Sequence, residues 1–430
     1  MSDTPHLSPD EFAAPDAFAQ PGDVAPDATP ELQALAQAWR AALLDELPAA
    51  RELRMSLHAS PCISGQEEPT ALQFETALSE VGVRLDRVAE TGRIGRLGPA
   101  SGPSVALRSE LDALPVQENT GVPFASSNGA MHACGHDVHL AALAAVTRAA
   151  ARLESSTTPL PFGLVVVAQP REERYPSGAE DIVASGRLSS EQVRYAVAAH
   201  VHPGVPAGAV ALGEGFVNAA ADEFEIVLEG QGGHGAYPHQ ARDVVAPLAS
   251  IALALPELVR RTVAPLDGAL LSVGTIQAGD GAPNVLPGTG RIFGTMRTTT
   301  REDRVALGHA VSELASGIAA SWGVRASTAI TRGEPALIND PLLTRTTSAW
   351  LADFGYPEAE PMRSLGADDF SFFTEAGPVL MAFVGVGKGR DPEPSLHDPE
   401  FLPGDEAVDA VAHTLLAGYI AGAALLDAAP

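Results

Sequence analysis

The sequence predicts an α/β protein in two parts: a mostly parallel sheet with helices on both faces, interrupted by a smaller α+β unit. Three observations predict it. Short, wholly apolar runs alternate with helical-period segments before residue 218. A strand–helix–strand–strand–helix–strand order follows to residue 332. An apolar run at 379–384 then returns the chain to the first pattern.

Residues 1–30, rich in Pro, Asp, Ala and Ser, read as a disordered leader. From Glu31 to Leu57, apolar residues recur at Leu32, Leu35, Ala36, Trp39, Leu43 and Leu44, the spacing of an amphipathic helix. Segments 104–108 and 162–168 are apolar with β-branched content, as strands buried on both faces require, and 140–153 reads as the helix between them. Residues 195–199 add a strand that ends in His200. Near Asn218 the pattern changes: 223–228 alternates, 244–259 is helical, 270–276 and 291–297 are strands, and a helix spans about 301–322. A terminal helix begins at Asp405. The expected domains are 31–217 plus 333–430, and an insertion at 218–332. No repeat with a solenoid period is present.

A chain of 430 residues exceeds one comfortable core. Twenty-seven Lys and Arg against 54 Asp and Glu give a net charge of −27, which argues against nucleic acid and anionic membrane as partners. No run approaches the roughly 18 consecutive apolar residues of a spanning helix, and there is no basic start followed by an apolar stretch. The expected location is therefore cytoplasmic. Cys62 and Cys134 are the only cysteines and make no disulfide framework, which suits a thiol used as a ligand.

Chemistry concentrates in Met131–His139, where one thiol and three imidazoles fall within a single short stretch. Cys134 and His136 can converge on one divalent ion, because Gly135 between them lets the backbone turn tightly. Alone, the stretch also reads as a polar loop with hydrogen-bonded histidines. Further candidates follow other strand ends, where an open α/β sheet places its site: Glu110 and Asp112, Glu172 and Glu173, His200, and His397. Such a set is what two-metal hydrolysis needs, and adjacent Glu172 and Glu173 can divide the roles of base and ligand.

The segments LRSELDALPVQENTGVPF, MHACGHDVH, AQPREE, AAHVHPGVPAG, GQGGHGAYPHQARDVV, GAPNVLPGTGRIFGTMR, SLGADDFSFF and PSLHDPEFLPGDEAV occur in that order. Together they resemble the motif set of metal-dependent amidohydrolases of the aminoacylase and dipeptidase superfamily, in the branch of hippurate and indoleacetyl-amino-acid hydrolases. The resemblance covers about residues 50–425. It implies a metal-dependent exopeptidase-like catalytic domain with a ferredoxin-like lid that also dimerises. The implied activity is cleavage of the amide bond of N-acyl amino acids or small amidated conjugates.

Carried over position by position, it implies metal ligands at Cys134, His136, Glu173, His200 and His397, with Glu172 as general base and Asp112 orienting a ligand. Two divalent ions are expected per subunit, Zn²⁺ first, with Mn²⁺, Co²⁺ or Ni²⁺ compatible with the ligand types. His132, His139 and His202 are expected not to ligate, the first two serving local hydrogen bonds. In the lid, His234 matches a residue that reaches the partner subunit's active site in dimeric relatives and stabilises an oxyanion. Asn284 and Arg297 match positions that hold a substrate carboxylate, and Gly366 a loop at the pocket floor. Without the resemblance, His234 reads as a turn residue and Arg297 as half of an ion pair.

This chain departs from the family pattern in places. Glu110 stands for a more usual Asp, Cys62 for a Glu, and Arg171 for a small residue, while Tyr175-Pro176-Ser177-Gly178 replaces a glycine-rich loop. A cation beside Glu172 is expected to depress that carboxylate's pKa or to bind an acidic substrate. Two other classes compete. A cysteine amidase would use Cys134 as nucleophile and leave Glu173, His200 and His397 without a task. A catalytically silent dimeric binding protein would have no need of Glu172.

Overall fold

The structure is a computed structural model that describes residues 28–154 and 158–429. The expected leader lies outside the described residues as far as 27. Pro30 already opens the first helix, Pro30–Ala59, with the Thr29 side chain accepting from the Leu32 amide. The chain divides into two compact units, one running to Gly215 and including Ile338–Met362 and Phe372–Pro430, the other Phe216–Leu337 with Arg363–Ser371.

The first unit is built on a sheet ordered Asp86–Val88, Gly92–Leu97, Gly163–Gln169, Ser104–Glu110, Val193–Pro206, Val379–Gly387 and Leu337–Asn339. Strand Ser104–Glu110 is parallel to both neighbours, Leu107 facing Val166 on one side and Val197 on the other. Val193–Pro206 runs parallel to Val379–Gly387, with His200 opposite Phe383. Gly92–Leu97 is antiparallel to its neighbour and carries the hairpin partner Asp86–Val88. Every residue of Ser104–Glu110 and Gly163–Gln169 is buried, which explains the apolar runs at Val105–Leu107 and Leu164–Ala168. Helix His136–Glu154 connects these two strands, so Glu110, Gln169 and His200 reach the same end of the sheet.

Helix Glu406–Ala428 packs on strands Ser104–Glu110, Val193–Pro206 and Val379–Gly387. It approaches closely because Gly418 has no side chain; a Cβ there would lie 2.6 Å from Val197 Cγ1. Among the described helices it alone is long and apolar enough to cross a membrane, and 94% of its most apolar window is buried in the unit.

The second unit is a four-stranded antiparallel sheet ordered Ala269–Ala278, Thr289–Thr298, Ala220–Glu229 and Arg325–Arg332. Helices Val245–Thr262 and Arg301–Ser321 cover one face, burying Phe224, Ile226, Leu228, Ile251, Ile292 and Val311 together. One boundary needs correction. Arg363–Ser371, including Gly366, was expected in the larger domain but belongs with this unit. The reason is backbone pairing: the Ala219 amide donates to the carbonyls of Ser364 and Gly366, and the Ser364 amide to that of Val217.

Candidate metal centre

Met131–His136 is a turn leading into helix His136–Glu154, and its shape depends on Gly135. That residue has φ of 86°, and a Cβ there would sit 2.3 Å from Val201 Cγ2. The bend brings Cys134 Sγ to 3.4 Å from His200 Nε2 at the end of the neighbouring strand. His397 arrives from a loop far along the sequence, held by its amide donating to the Ala133 carbonyl at 2.9 Å, and it is half-exposed with φ of 69°. Side chains in such sparsely populated backbone conformations recur at functional sites.

The hydrogen bonds fix which imidazole nitrogens are available. His136 Nδ1 donates to the Asp112 carbonyl at 2.8 Å, and His200 Nδ1 to the Val201 carbonyl at 2.7 Å. Each arrangement leaves a lone pair on Nε2. His136 Nε2 faces Glu172 Oε2 at 3.7 Å and Glu173 Oε1 at 3.9 Å, and His397 Nε2 lies 3.3 Å from Glu173 Oε1. Ligand atoms of Cys134, Glu173 and His397 lie within 4.8 Å of one another, as do those of His136, Glu172 and Glu173. The geometry therefore brings all five expected ligands and the expected base into one cluster of the first unit.

His139 belongs to the same buried group yet has no nitrogen left for a metal. Its Nδ1 donates to Glu110 Oε2 at 2.8 Å, and its Nε2 accepts from the Val201 amide at 2.9 Å. Its task is to hold the backbone next to His200. Glu110, longer than the usual Asp, also meets Arg108, which in turn donates to Gln169 Oε1. Burial raises the Glu110 pKa, but Arg108 and His139 outweigh it and hold the carboxyl well below its ordinary value. His132 departs from expectation: both its nitrogens are buried with no hydrogen-bond partner, and burial lowers its pKa to about 4.

A divalent cation fits this donor set. His136 Nε2 and Glu173 Oε1, 3.9 Å apart, are buried without hydrogen-bond partners, an arrangement costly in a folded interior unless something positive occupies the space between them. Burial pushes the Cys134 thiol well up, so the thiolate needs a cation beside it. Burial also opposes charge on His136, yet Cys134 and Asp112 outweigh it and raise its pKa well above the ordinary value; the cluster draws in positive charge. The chemistry available here is polarisation of an oxygen and activation of water, with Glu172 positioned at the edge.

Some supports carried no sequence signal. Ser64 Oγ donates to Asp112 Oδ2 at 2.6 Å, and the same oxygen accepts the Glu173 amide at 3.0 Å. Asp137 accepts from Arg54 Nε at 3.0 Å and from His58 Nδ1 at 2.9 Å, while His58 Nε2 faces Glu118 Oε1 at 3.1 Å. Helical periodicity placed Arg54 in the first helix and stopped one residue short of His58, without revealing that both reach Asp137 beside His136.

The reading of Arg171 also changes. Its guanidinium pairs with Glu90 and Asp181 and is 7% exposed, so its charge is already matched by two carboxylates.

In the second unit, strand residue His234 pairs with Val285, and the Gly235 amide donates to the Asn284 carbonyl at 2.8 Å. His234 and Asn284 border one groove of about 1160 Å³, which neither Arg297 nor Gly366 lines. His234 Nδ1 accepts from the Ala236 amide at 3.1 Å, which leaves Nε2–H as an exposed donor. Arg297 lies on strand Thr289–Thr298 opposite Leu270 and Ala221, with no ion pair among the described residues, so the simple ion-pair reading of it fails. Gly366 is exposed, its carbonyl accepting from Ala219 and Asn218.

The fold and this cluster define a metallohydrolase, and sequence comparison gives the family. The profile of peptidase family M20/M25/M40 matches residues 106–417, and the chain belongs to that family. It is thereby a metal-dependent hydrolase of carbon–nitrogen bonds. It is 32% identical over 360 residues to N-acetylcysteine deacetylase of Bacillus subtilis, covering 83% of this chain and 92% of the relative. It is 30% identical over 375 residues to N-acetyldiaminopimelate deacetylase of the same organism, covering 85% and 96%. Among solved structures, the YXEP protein of Bacillus subtilis, a dinuclear metal-binding peptidase of family M20, superposes with a TM-score of 0.73 at 28% identity, over 89% of this chain and 98% of that one.

Proposed function

We propose that this protein hydrolyses the amide bond of an N-acyl amino acid or a small amidated conjugate, using two divalent ions held by Cys134, His136, Glu173, His200 and His397. One observation carries the reading: Glu172 lies beside a buried thiol–imidazole–carboxylate cluster whose His136 Nε2 and Glu173 Oε1 have no hydrogen-bond partner. Zn²⁺ suits the thiol and imidazole donors best, and Mn²⁺, Co²⁺ and Ni²⁺ remain compatible. When bound, the ions supply Lewis acidity for the acyl carbonyl and lower the pKa of water. Glu172 accepts the proton of the attacking water and returns it to the departing amine. Asp112 holds the Glu173 backbone and the His136 ring in place.

The second unit supplies recognition in this proposal. Asn284 and Arg297 bind the substrate carboxylate, Gly366 contributes to the pocket floor, and His234 of a second copy donates its Nε2–H to the developing oxyanion. The homodimer is supported by an edge strand, Ala269–Ala278, that exposes Leu270 and Ile276, next to exposed Phe293 on the adjoining strand. N-acyl amino acids as substrates are supported by the two deacetylases of similar sequence.

The cysteine-nucleophile alternative is weakened because burial raises the Cys134 pKa, the reverse of what an activated thiol needs. The test is a screen of N-acetyl, N-benzoyl and indoleacetyl amino acids with chelator, with added Zn²⁺ and with added Mn²⁺. The expected result is activity lost to chelator and restored by metal. Full activity in metal-free protein, abolished by a thiol alkylator, would establish the cysteine amidase instead. Absence of turnover with any amide under metal-loaded conditions would favour the silent binding protein.

A further inference from the structure

We propose that Arg171 is a positioning residue: it clamps the turn bearing Glu172 and Glu173 between two separate segments and so sets where the base and its neighbouring ligand stand. The inference rests on the reading of Glu172 as base. Arg171 sits directly after strand Gly163–Gln169 and Pro170, with φ of 50°, a conformation that residues bearing a Cβ seldom adopt. Something outside the turn must hold it there. Three contacts do so.

Its Nη1 donates to Glu90 Oε2 at 2.7 Å, and its Nη2 donates to Asp181 Oδ2. Its own amide donates to Glu67 Oε1 at 3.0 Å. Glu67 is fully buried and also accepts the Gly65 amide and the Thr91 hydroxyl, so it is a fixed point. Asp181 lies in the first turn of helix Gly178–Ala184, whose Gly178 amide donates to the Arg171 carbonyl at 3.2 Å. Glu90 lies in the turn between strands Asp86–Val88 and Gly92–Leu97, itself at φ of 69°. The planar guanidinium, with donors fanned in fixed directions, can join those two segments at once.

The anions of the clamp separate positioning from stability. The side chains of Glu90 and Asp181 are 74% and 47% exposed and each is one of two carboxylate partners of the buried guanidinium, so replacing either leaves the other ion pair in place. Misplacing a catalytic group by about 1 Å can cost on the order of a hundredfold in rate.

The experiment compares Arg171→Ala, Arg171→Lys, Asp181→Asn, Glu90→Gln and the double variant Arg171→Ala/Asp181→Asn in the full chain. Readouts are Zn²⁺ affinity, amide hydrogen exchange over 169–177, and kcat and KM with an N-acetyl amino acid. Arg171→Ala should speed exchange of that segment, weaken Zn²⁺ binding several-fold through Glu173, and lower kcat about tenfold with KM nearly unchanged. Asp181→Asn and Glu90→Gln should show the same changes more weakly, with a smaller fall in Tm than Arg171→Ala, and Lys should restore only part of the loss. The double variant should be no worse than Arg171→Ala. Unaltered exchange and Zn²⁺ affinity in Arg171→Ala would overturn the proposal. So would a rise in KM at constant kcat, which would make Arg171 a substrate-binding cation. If Glu172→Gln kept full turnover while Arg171→Ala still loosened the segment, the base assignment would fail and the clamp would stand.

Discussion

Asp112 Oδ2 accepts the backbone amide of Glu173 at 3.0 Å and the hydroxyl of Ser64 at 2.6 Å, so one carboxylate oxygen ties its own strand end to the turn after a second strand and to the turn between the first two helices. The Asp112 backbone carbonyl also accepts a hydrogen bond from His136 Nδ1–H. Asp112→Ala should therefore weaken Zn²⁺ binding about ten- to hundredfold, the usual effect of losing a group that orients ligands. Ser64→Ala should have a smaller effect in the same direction. Titration with a competing zinc chelator measures both; wild-type affinity in Asp112→Ala would remove it from the centre.

Glu172 and Glu173 are neighbours with different tasks. Glu172→Gln is expected to keep near-normal metal content and lose at least about a hundredfold in kcat, the lower end of general acid–base contributions. Glu173→Gln is expected to lose metal together with activity. Elemental analysis of both proteins, alongside their kinetics, decides the assignment. Swapped results would reverse the two roles.

If His234 acts across a dimer interface, a heterodimer of His234→Ala with Glu172→Gln should recover up to about half of wild-type activity. One of its two sites then holds both intact groups. A His234 serving its own chain would give no rescue, because every site would lack one group. Differently tagged subunits, purified as verified heterodimers, provide the measurement.

His58 lies between two buried carboxylates, Asp137 and Glu118, with Arg54 donating to the same Asp137 oxygen and His132 nearby. Burial opposes its charge, but Asp137 and Glu118 outweigh that and raise its pKa above the ordinary value. A raised folded-state pKa gives stability that is fully present below about pH 6.5, the unfolded value, and is lost as pH rises through the folded value. Wild type should thus lose more stability than His58→Gln between pH 6 and pH 9. Urea unfolding of both across that range tests it, and parallel curves would show that His58 has the same pKa in the folded and unfolded protein.

Much of the first unit was legible because strands buried on both faces leave continuous apolar runs, as at Val105–Leu107 and Leu164–Ala168. The candidate ligands were legible because reactive residue types stand at strand ends and because the ordered motifs resemble a known family. Helix Pro341–Phe354 carries its signals at its ends rather than in a strong apolar period: Asp340 caps it, Pro341 opens it and Gly355 closes it in the left-handed conformation. Helix Glu68–Ser79 buries only Thr70, Ala71, Phe74 and Leu78, too narrow a stripe to stand out. The direction of the Arg171 side chain could not be read at all, since its partners Glu90 and Asp181 are distant or unremarkable in sequence. Attachment of Arg363–Ser371 to the second unit depends on backbone pairing, which leaves no side-chain pattern.

Helix Glu406–Ala428 lies against strands made much earlier in the chain, at Ser104–Glu110 and Val193–Pro206. During translation those strands leave the ribosome long before their cover exists, and one apolar face of the sheet stands open to water. The helix itself, apolar enough to pass for a membrane span, emerges equally unprotected. The newly made polypeptide is thus at its stickiest shortly before it can close, which makes the nascent chain a natural client for chaperones and the expression host's folding capacity a determinant of yield.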